Sequence, residues 1–561
     1  MPHPTGGDLL VHLMREHGVD TAFGVVSVHN LPLVEAVARE LRFVPVRHEA
    51  AAVNAADGYA RARGGGSPAN EDVAGGGGLG VAITSTGTGA GNAAGSLVEA
   101  LTAGSPVLHV TGQIDSEFLG HGRGVRGVIH ETRDQLGMLT AISKHAATMT
   151  AAATGENTLR DAIAAALAVP TGPASVEWPI DLQYARHELG APAPRVTSRP
   201  ATPDPDAVRR AADVIAAAHR PVIWAGGGAT AAREQLRALA ERLGAAVFTS
   251  NSGRGSIDED HDLVVGNFAS SQDGAGLLAD ADLLISVGTH FRSNETRHYG
   301  LEVPREHIQI DVDPAAIGRV YPATVGLHGE AAPTLDALLT ALGEPRPEPG
   351  WRERVVTTRR AVREQLRAVI GPYALICDAL REQLPRESVI ARDVTIPSSQ
   401  WGNRLLDIHH PATNLFPVGG GIGQGLATGI GAAIANPDAP TAVIAGDGGL
   451  AVHLGELATL AQERPWLVLV LFNDGGYGVL RNMQDRHSER RSGVDLYTPD
   501  FGQLSRSLDL PYLLVRHAED FADSLAKALS QHGPAVIEVD VTALEPTPAP
   551  FVPPVHVPAA D

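Results

Sequence analysis

TAVIAGDGGLAVHLGELATLAQERPWLVLVLFND, residues 441–474, alternates two apolar runs with a segment of helical period. The runs at 441–446 and 467–472 have strand length, and Leu454, Leu457, Ala458 and Leu460 between them recur at helical spacing. Strand, helix and strand at this length predict one right-handed parallel βαβ unit. Asp447 then falls just past the first strand and Asn473 at the end of the second. Neighbouring strands lie about 4.8 Å apart, so the two oxygen-bearing side chains converge at the carboxyl edge of a sheet. Open α/β sheets bind ligands at that edge. The turn Gly446-Asp447-Gly448-Gly449 also opens a helix, whose N-terminus suits phosphate. A hard cation bridging two protein oxygens to a diphosphate is the natural occupant. Taken alone, Gly-Asp-Gly is better read as a tight turn with an aspartate cap. Followed by Asn one βαβ unit later, it is far more specific.

The rest of the chain extends this pattern. Its 561 residues suffice for about three domains. A net charge of −20 argues against nucleic acid or an anionic membrane as partner. The single cysteine, Cys377, excludes an intrachain disulfide framework and a cysteine metal site. The opening MPHPTGGDLLVHL lacks the features of a secretory signal, and no apolar run has membrane-spanning length, so a cytoplasmic protein is expected. Strands and helices alternate through residues 1–190, including RHEAAAVNAADGYAR and the strand–turn–helix–strand VAITSTGTGAGN…PVLHVTG, which echoes 441–474 as a weak internal repeat. Residues 64–80 read as a glycine-rich surface loop and 191–205 as a linker. A second domain is expected over 206–342, then the linker GEPRPEPG, a charged helix over 351–370 and a third domain over 365–545. The proline-rich tail, 546–561, is predicted to be irregular, packing as an arm or staying disordered.

The unit at 441–474 resembles the cofactor motif of thiamine-diphosphate-dependent enzymes, which opens at Gly-Asp-Gly and closes at an asparagine. FGVVSVHN, RHEAAAVNAADGYAR, TSTGTGAGN, GPASVEWPID and GGGIGQGLATGIGAA extend the resemblance over nearly the whole chain. It is closest to the acetolactate-synthase, benzaldehyde-lyase and pyruvate-decarboxylase superfamily, and within that to acetolactate-synthase-like large subunits. The resemblance implies a three-domain α/β fold of parallel sheets flanked by helices, with pyrimidine-binding, central and diphosphate-binding domains. It implies thiamine diphosphate (ThDP) and Mg²⁺ as cofactors. By the same resemblance Glu49 is the catalytic glutamate on the far pyrimidine nitrogen, and Ile422 the bulky residue that props the cofactor bent. Gly446, Asp447, Gly448, Gly449 and Asn473 contact the cofactor, and Asp447, Asn473 and the backbone carbonyl of Gly475 hold the metal. A homodimer is the minimal active unit and a tetramer the expected assembly.

Two histidines are candidate proton carriers: His29, where benzaldehyde lyase also has histidine, and His130, where acetolactate synthases carry glutamine. Each also reads as an ordinary surface or core histidine. No adjacent His-His pair of the pyruvate-decarboxylase type occurs in the first domain. Leu480 and Met483 are candidate pocket residues, and Val28 replaces the carboxylate of simple decarboxylases. The balance favours a carboligase of acetolactate-synthase type, adding the enamine from a 2-oxo acid to a second carbonyl. Decarboxylation alone and benzaldehyde-lyase-like cleavage are the alternatives. FAD is doubtful, because GNFA and HFRSNETR replace the family's flavin-binding segments. An NAD-dependent oxidoreductase is a distant rival, since Gly89-Ala90-Gly91-Asn92-Ala93-Ala94 fits a dinucleotide fingerprint. A non-catalytic paralogue is another.

Overall fold

The computed structural model describes residues 3–64, 78–119, 127–191 and 201–554. Most of the predicted glycine-rich loop and interdomain linker lies outside these residues. Three six-stranded sheets, all parallel in their pairings, carry the fold. The first contains β1 (Thr21–Gly24), β2 (Arg42–Pro45), β3 (Gly80–Thr84), β4 (Val107–Gln113), β5 (His145–Thr148) and β6 (Ala174–Pro179), in the order β2-β1-β3-β4-β6-β5. The second contains β7 (Pro221–Ala225), β8 (Ala246–Thr249), β9 (Val264–Gly266), β10 (Leu283–Val287), β11 (Glu306–Asp311) and β12 (Val325–His328), in the order β12-β11-β10-β7-β8-β9. The third contains β13 (Ile390–Arg392), β14 (Asn414–Leu415), β15 (Thr441–Gly446), β16 (Leu467–Asn473), β17 (Tyr512–Val515) and β18 (Ala535–Asp540), in the order β14-β13-β15-β16-β18-β17.

The first and third sheets therefore share one strand order, and the repeat glimpsed in the sequence is a repeat of topology. The middle sheet has the dinucleotide-fold order instead. The fingerprint at Gly89–Ala94 belongs to the first sheet, so it lies on the wrong topology for that use. β15 and β16 pair in parallel from Thr441↔Leu467 to Gly446↔Phe472, as the apolar runs predict. Their side chains are buried on both faces, which is why the runs are continuous rather than alternating. The connecting helix differs from expectation. It is two helices, Asp447–Val452 and Glu456–Glu463, separated at His453–Gly455.

Several boundaries shift by a residue or two. Pro205, read as linker, is the first residue of the helix Pro205–Ala217, where its missing N–H is harmless. Gly80, read as loop, begins β3. TGTGAGN, read as a turn, holds the short helix Thr88–Asn92. The charged helix Trp351–Ile370 lies where predicted; Trp351, Val355 and Val362 extend the core of the central domain.

The outer domains are joined directly. The helix Glu49–Ala62 of the first crosses the helix Gly425–Ala435 of the third at backbone contact. A Cβ on Gly431 would lie 1.9 Å from the Ala55 carbonyl oxygen, and one on Gly58 would lie 2.0 Å from that of Thr428. Only glycine permits this approach.

Candidate functional site

At the carboxyl edge of the third sheet, Asp447 and Asn473 lie on adjacent strand ends, as the register requires. Asp447 Oδ1 accepts from the Asp474 backbone N–H at 3.2 Å, while Oδ2 is buried with no protein partner. Burial raises the Asp447 pKa, and burial followed by the Asp447 charge pushes Asp474 up to about 6. Asp474 Oδ1 also lacks a hydrogen bond, although the Arg481 guanidinium lies 3.6 Å away. A buried and a half-buried carboxyl group, each with an unused buried oxygen, are poorly satisfied by protein alone, and a divalent cation fits that donor set. Asn473 Oδ1 accepts from the Gly475 N–H at 3.2 Å. Gly475 has φ 81°, and its carbonyl accepts from the Leu496 N–H at 3.0 Å, which leaves one lone pair.

The glycine-rich segment over 418–425 is held by two carboxylates absent from the sequence reading. Asp393, fully buried at the end of β13, accepts from the N–H groups of Val394 (2.7 Å), Gly423 (3.0 Å) and Gly425 (2.9 Å). Glu99, from the first domain, accepts from the N–H groups of Val418 and Gly419. Ile422 stands between these anchors with its side chain 38% exposed. The sequence signal for Asp393 was its place one residue past an apolar run. Glu99 has no such mark.

Glu49 opens its helix behind the His48 cap, whose Nδ1 accepts the Ala50 N–H at 3.2 Å. Its Oε2 accepts from Asn92 Nδ2 at 3.0 Å. A Cβ on Gly89 would sit 2.9 Å from Oε1, so these residues of the apparent dinucleotide fingerprint make room for Glu49. The His29 and His130 rings meet edge to face, 5.3 Å apart at 81°. Far apart in the sequence, the two rings are neighbours in space. His29 is buried, and its pKa is lowered by that burial first and by His130 second. His130 is exposed in left-handed backbone, φ 66°. Val28 is 62% exposed and Leu480 48%, with Met483 half-buried on the same helix, Gly478–His487. The tail up to residue 554 is irregular and packs as an arm on this helix, where Asn482 Nδ2 donates to the Phe551 carbonyl at 2.9 Å.

Three groups thus form: Asp447 with Asn473 and Gly475, Glu49 with Asn92, and His29 with His130. Among the described residues no hydrogen bond joins one group to another. Elsewhere Asp258, Asp260 and His409 converge, but Arg386 pairs with both carboxylates.

Family models for thiamine pyrophosphate enzymes match all three parts of the chain. The N-terminal TPP binding domain covers residues 4–138, the central domain 208–338 and the C-terminal TPP binding domain 397–539. The chain belongs to the thiamine-pyrophosphate-dependent enzyme family. This ThDP enzyme is 33% identical over 545 residues to a Pseudomonas aeruginosa protein named probable 2-ketoarginine decarboxylase, covering 95% of this chain and 94% of that one. It is 28% identical over 574 residues to the probable acetolactate synthase large subunit of Methanocaldococcus jannaschii, covering 98% and 93% of the two chains. To the Escherichia coli acetolactate synthase isozyme 2 large subunit it is 27% identical over 563 residues, covering 98% and 97%. No helix among the described residues of the ThDP enzyme is long and apolar enough to cross a membrane.

Proposed function

We propose that this ThDP enzyme decarboxylates a 2-oxo acid and protonates the product carbon to release an aldehyde. The observation that carries this reading is the contact between His29 and His130. A buried histidine whose pKa is lowered is neutral near pH 7 and able to take or return a proton through an exposed neighbour. In this reading Asp447, Asn473 and the Gly475 carbonyl hold Mg²⁺, with Gly446, Gly448 and Gly449 along the diphosphate. Glu49 holds a proton at the pyrimidine, and Ile422 supports the bent cofactor. When bound, the cofactor supplies the electron sink for cleavage of the carbon–carbon bond.

A second reading, carboligation of acetolactate-synthase type, is favoured by Val28, an apolar residue in place of a carboxylate. Relatives named for both activities match over nearly the full chain. FAD is left out of the proposed cofactors. The loops leaving β7 and β10 bond to each other at the base of the central crevice, Gly226 N–H to the Val287 carbonyl at 2.8 Å and Gly228 N–H to that of Gly288 at 3.0 Å.

The family resemblance supports a site shared between two chains, the first domain of one facing the third domain of the other. A homodimer is then the minimal unit, with a tetramer as its expected assembly. The test is product analysis by mass spectrometry with ThDP, Mg²⁺ and a panel of 2-oxo acids that includes 2-ketoarginine and pyruvate. Carbon dioxide with an aldehyde supports the proposal, and a hydroxyketone supports the second reading. No turnover together with no ThDP binding would overturn both.

A further inference from the structure

Asn473 can serve a cation only with its amide oxygen turned outward, because the opposite flip would present an NH₂ group to the positive charge. Nothing in the residue itself decides between the two. The neighbour that decides is Glu538, buried on β18, whose Oε1 accepts from Asn473 Nδ2 at 2.7 Å. A carboxylate oxygen facing an amide accepts, so the nitrogen is drawn inward and the oxygen left to the Gly475 loop. The other carboxylate oxygen is held by the Tyr512 hydroxyl of the edge strand β17 at 2.6 Å.

The first sheet repeats the device at the equivalent strands. Glu177 on β6 accepts from Gln113 Nε2, at the end of β4, at 3.0 Å, and from the Thr148 hydroxyl of the edge strand β5 at 2.5 Å. There too the amide oxygen turns to a backbone N–H, that of Ile114 at 2.8 Å. Within one chain, on two sheets of one topology, the carboxylate sets the flip of a strand-end amide.

We propose that Glu538, braced by Tyr512, is the positioning residue that orients the Asn473 amide as a metal ligand. The inference rests on the reading above that Asn473 binds Mg²⁺. A partner behind a metal ligand typically changes metal affinity by about 10–100-fold when removed.

The experiment measures the Mg²⁺ midpoint for ThDP binding by calorimetry on the full-length protein, with thermal melting of the same samples. Glu538→Gln can present NH₂ to Asn473, which releases the flip, and the Mg²⁺ midpoint should rise about tenfold or more. Asn473→Asp sets two carboxylates face to face and should lose binding more severely. Combining the two substitutions reverses donor and acceptor: the glutamine introduced on β18 donates to the aspartate introduced on β16. The double variant should therefore bring the midpoint back toward wild type. A purely structural role for Glu538 would lower the melting temperature and would not show this rescue. An unchanged midpoint in Glu538→Gln, or a double variant no better than Asn473→Asp, would overturn the proposal. Should Glu538→Gln not fold alone, the comparison of Asn473→Asp with the double variant decides it. If the wild-type protein binds ThDP with no dependence on Mg²⁺, the metal reading itself is wrong, an outcome distinct from failure of the rescue.

Discussion

Glu49 presents one carboxylate oxygen to Asn92 and the other toward Gly89, at the first turn of a helix. If it passes a proton to the cofactor, Glu49→Gln should lower kcat by about 100-fold or more while ThDP binding, read by calorimetry, stays near wild type. Asp447→Ala should behave differently and lose Mg²⁺ and ThDP binding together, since it removes a buried ligand oxygen. His29 supplies a pH prediction. Its folded-state pKa is depressed, so the folded protein binds this proton less tightly than the unfolded chain does. Stability from this group is therefore present at high pH and lost as pH falls below the ordinary histidine value of about 6.5. The acid limb of kcat/KM should accordingly lie below about pH 6.5. Removing the His130 charge, as in His130→Gln, should move that limb upward; a limb that stays in place would separate the two rings functionally. Asp447 and Asn473 were legible because each ends an apolar run at the spacing of one βαβ unit. Glu99 and Glu538 were not, because each is a carboxylate whose donors lie far along the chain or on another strand, and Asp393, though just past an apolar run, gave no sign of its bonds to Gly423 and Gly425. The spatial histidine pair was hidden for the same reason, since nothing local in VSVHN or GVIHE points to the other.

At the scale of elements, the apolar period placed strands and long helices well and misjudged glycine-rich passages. The 441–474 helix breaks at His453–Gly455, where His453 Nδ1 donates to the Gly423 carbonyl at 2.9 Å and ties the break to the glycine-rich segment over 418–425. Such a tertiary bond has no periodic signature. The run of small residues in GLATGIGAAIA reads as a helix, but the sequence does not reveal what it packs against. The structure answers with the crossing at Gly58 and Gly431. Gly431→Ala should force the two helices apart and destabilise the protein by roughly 1–3 kcal/mol, measured by denaturant unfolding. A substitution to alanine at the half-buried Gly244, whose added Cβ would meet nothing within 4 Å, tests backbone strain alone, since φ there is 60°.

For the whole molecule, the three-sheet plan followed from alternation, and the weak repeat hinted at two related domains without giving the full strand order that the first and third sheets share. Val26 and Val28 on the first domain, with Ile422, Val452 and Leu480 on the third, leave apolar side chains uncovered next to polar groups that carry the proposed chemistry. Sedimentation velocity should show a dimer or larger species, and specific activity should fall when the protein is diluted below its association range. A monomer of full specific activity would refute a shared site. The helix crossing has one more consequence. Two backbones in contact at paired glycines cannot slide or open like a hinge without losing that contact, so the outer domains of a chain move as a rigid couple. A movement that admits substrate then falls to segments outside the crossing, such as the helix Gly478–His487 and the terminal arm bonded to it at Asn482.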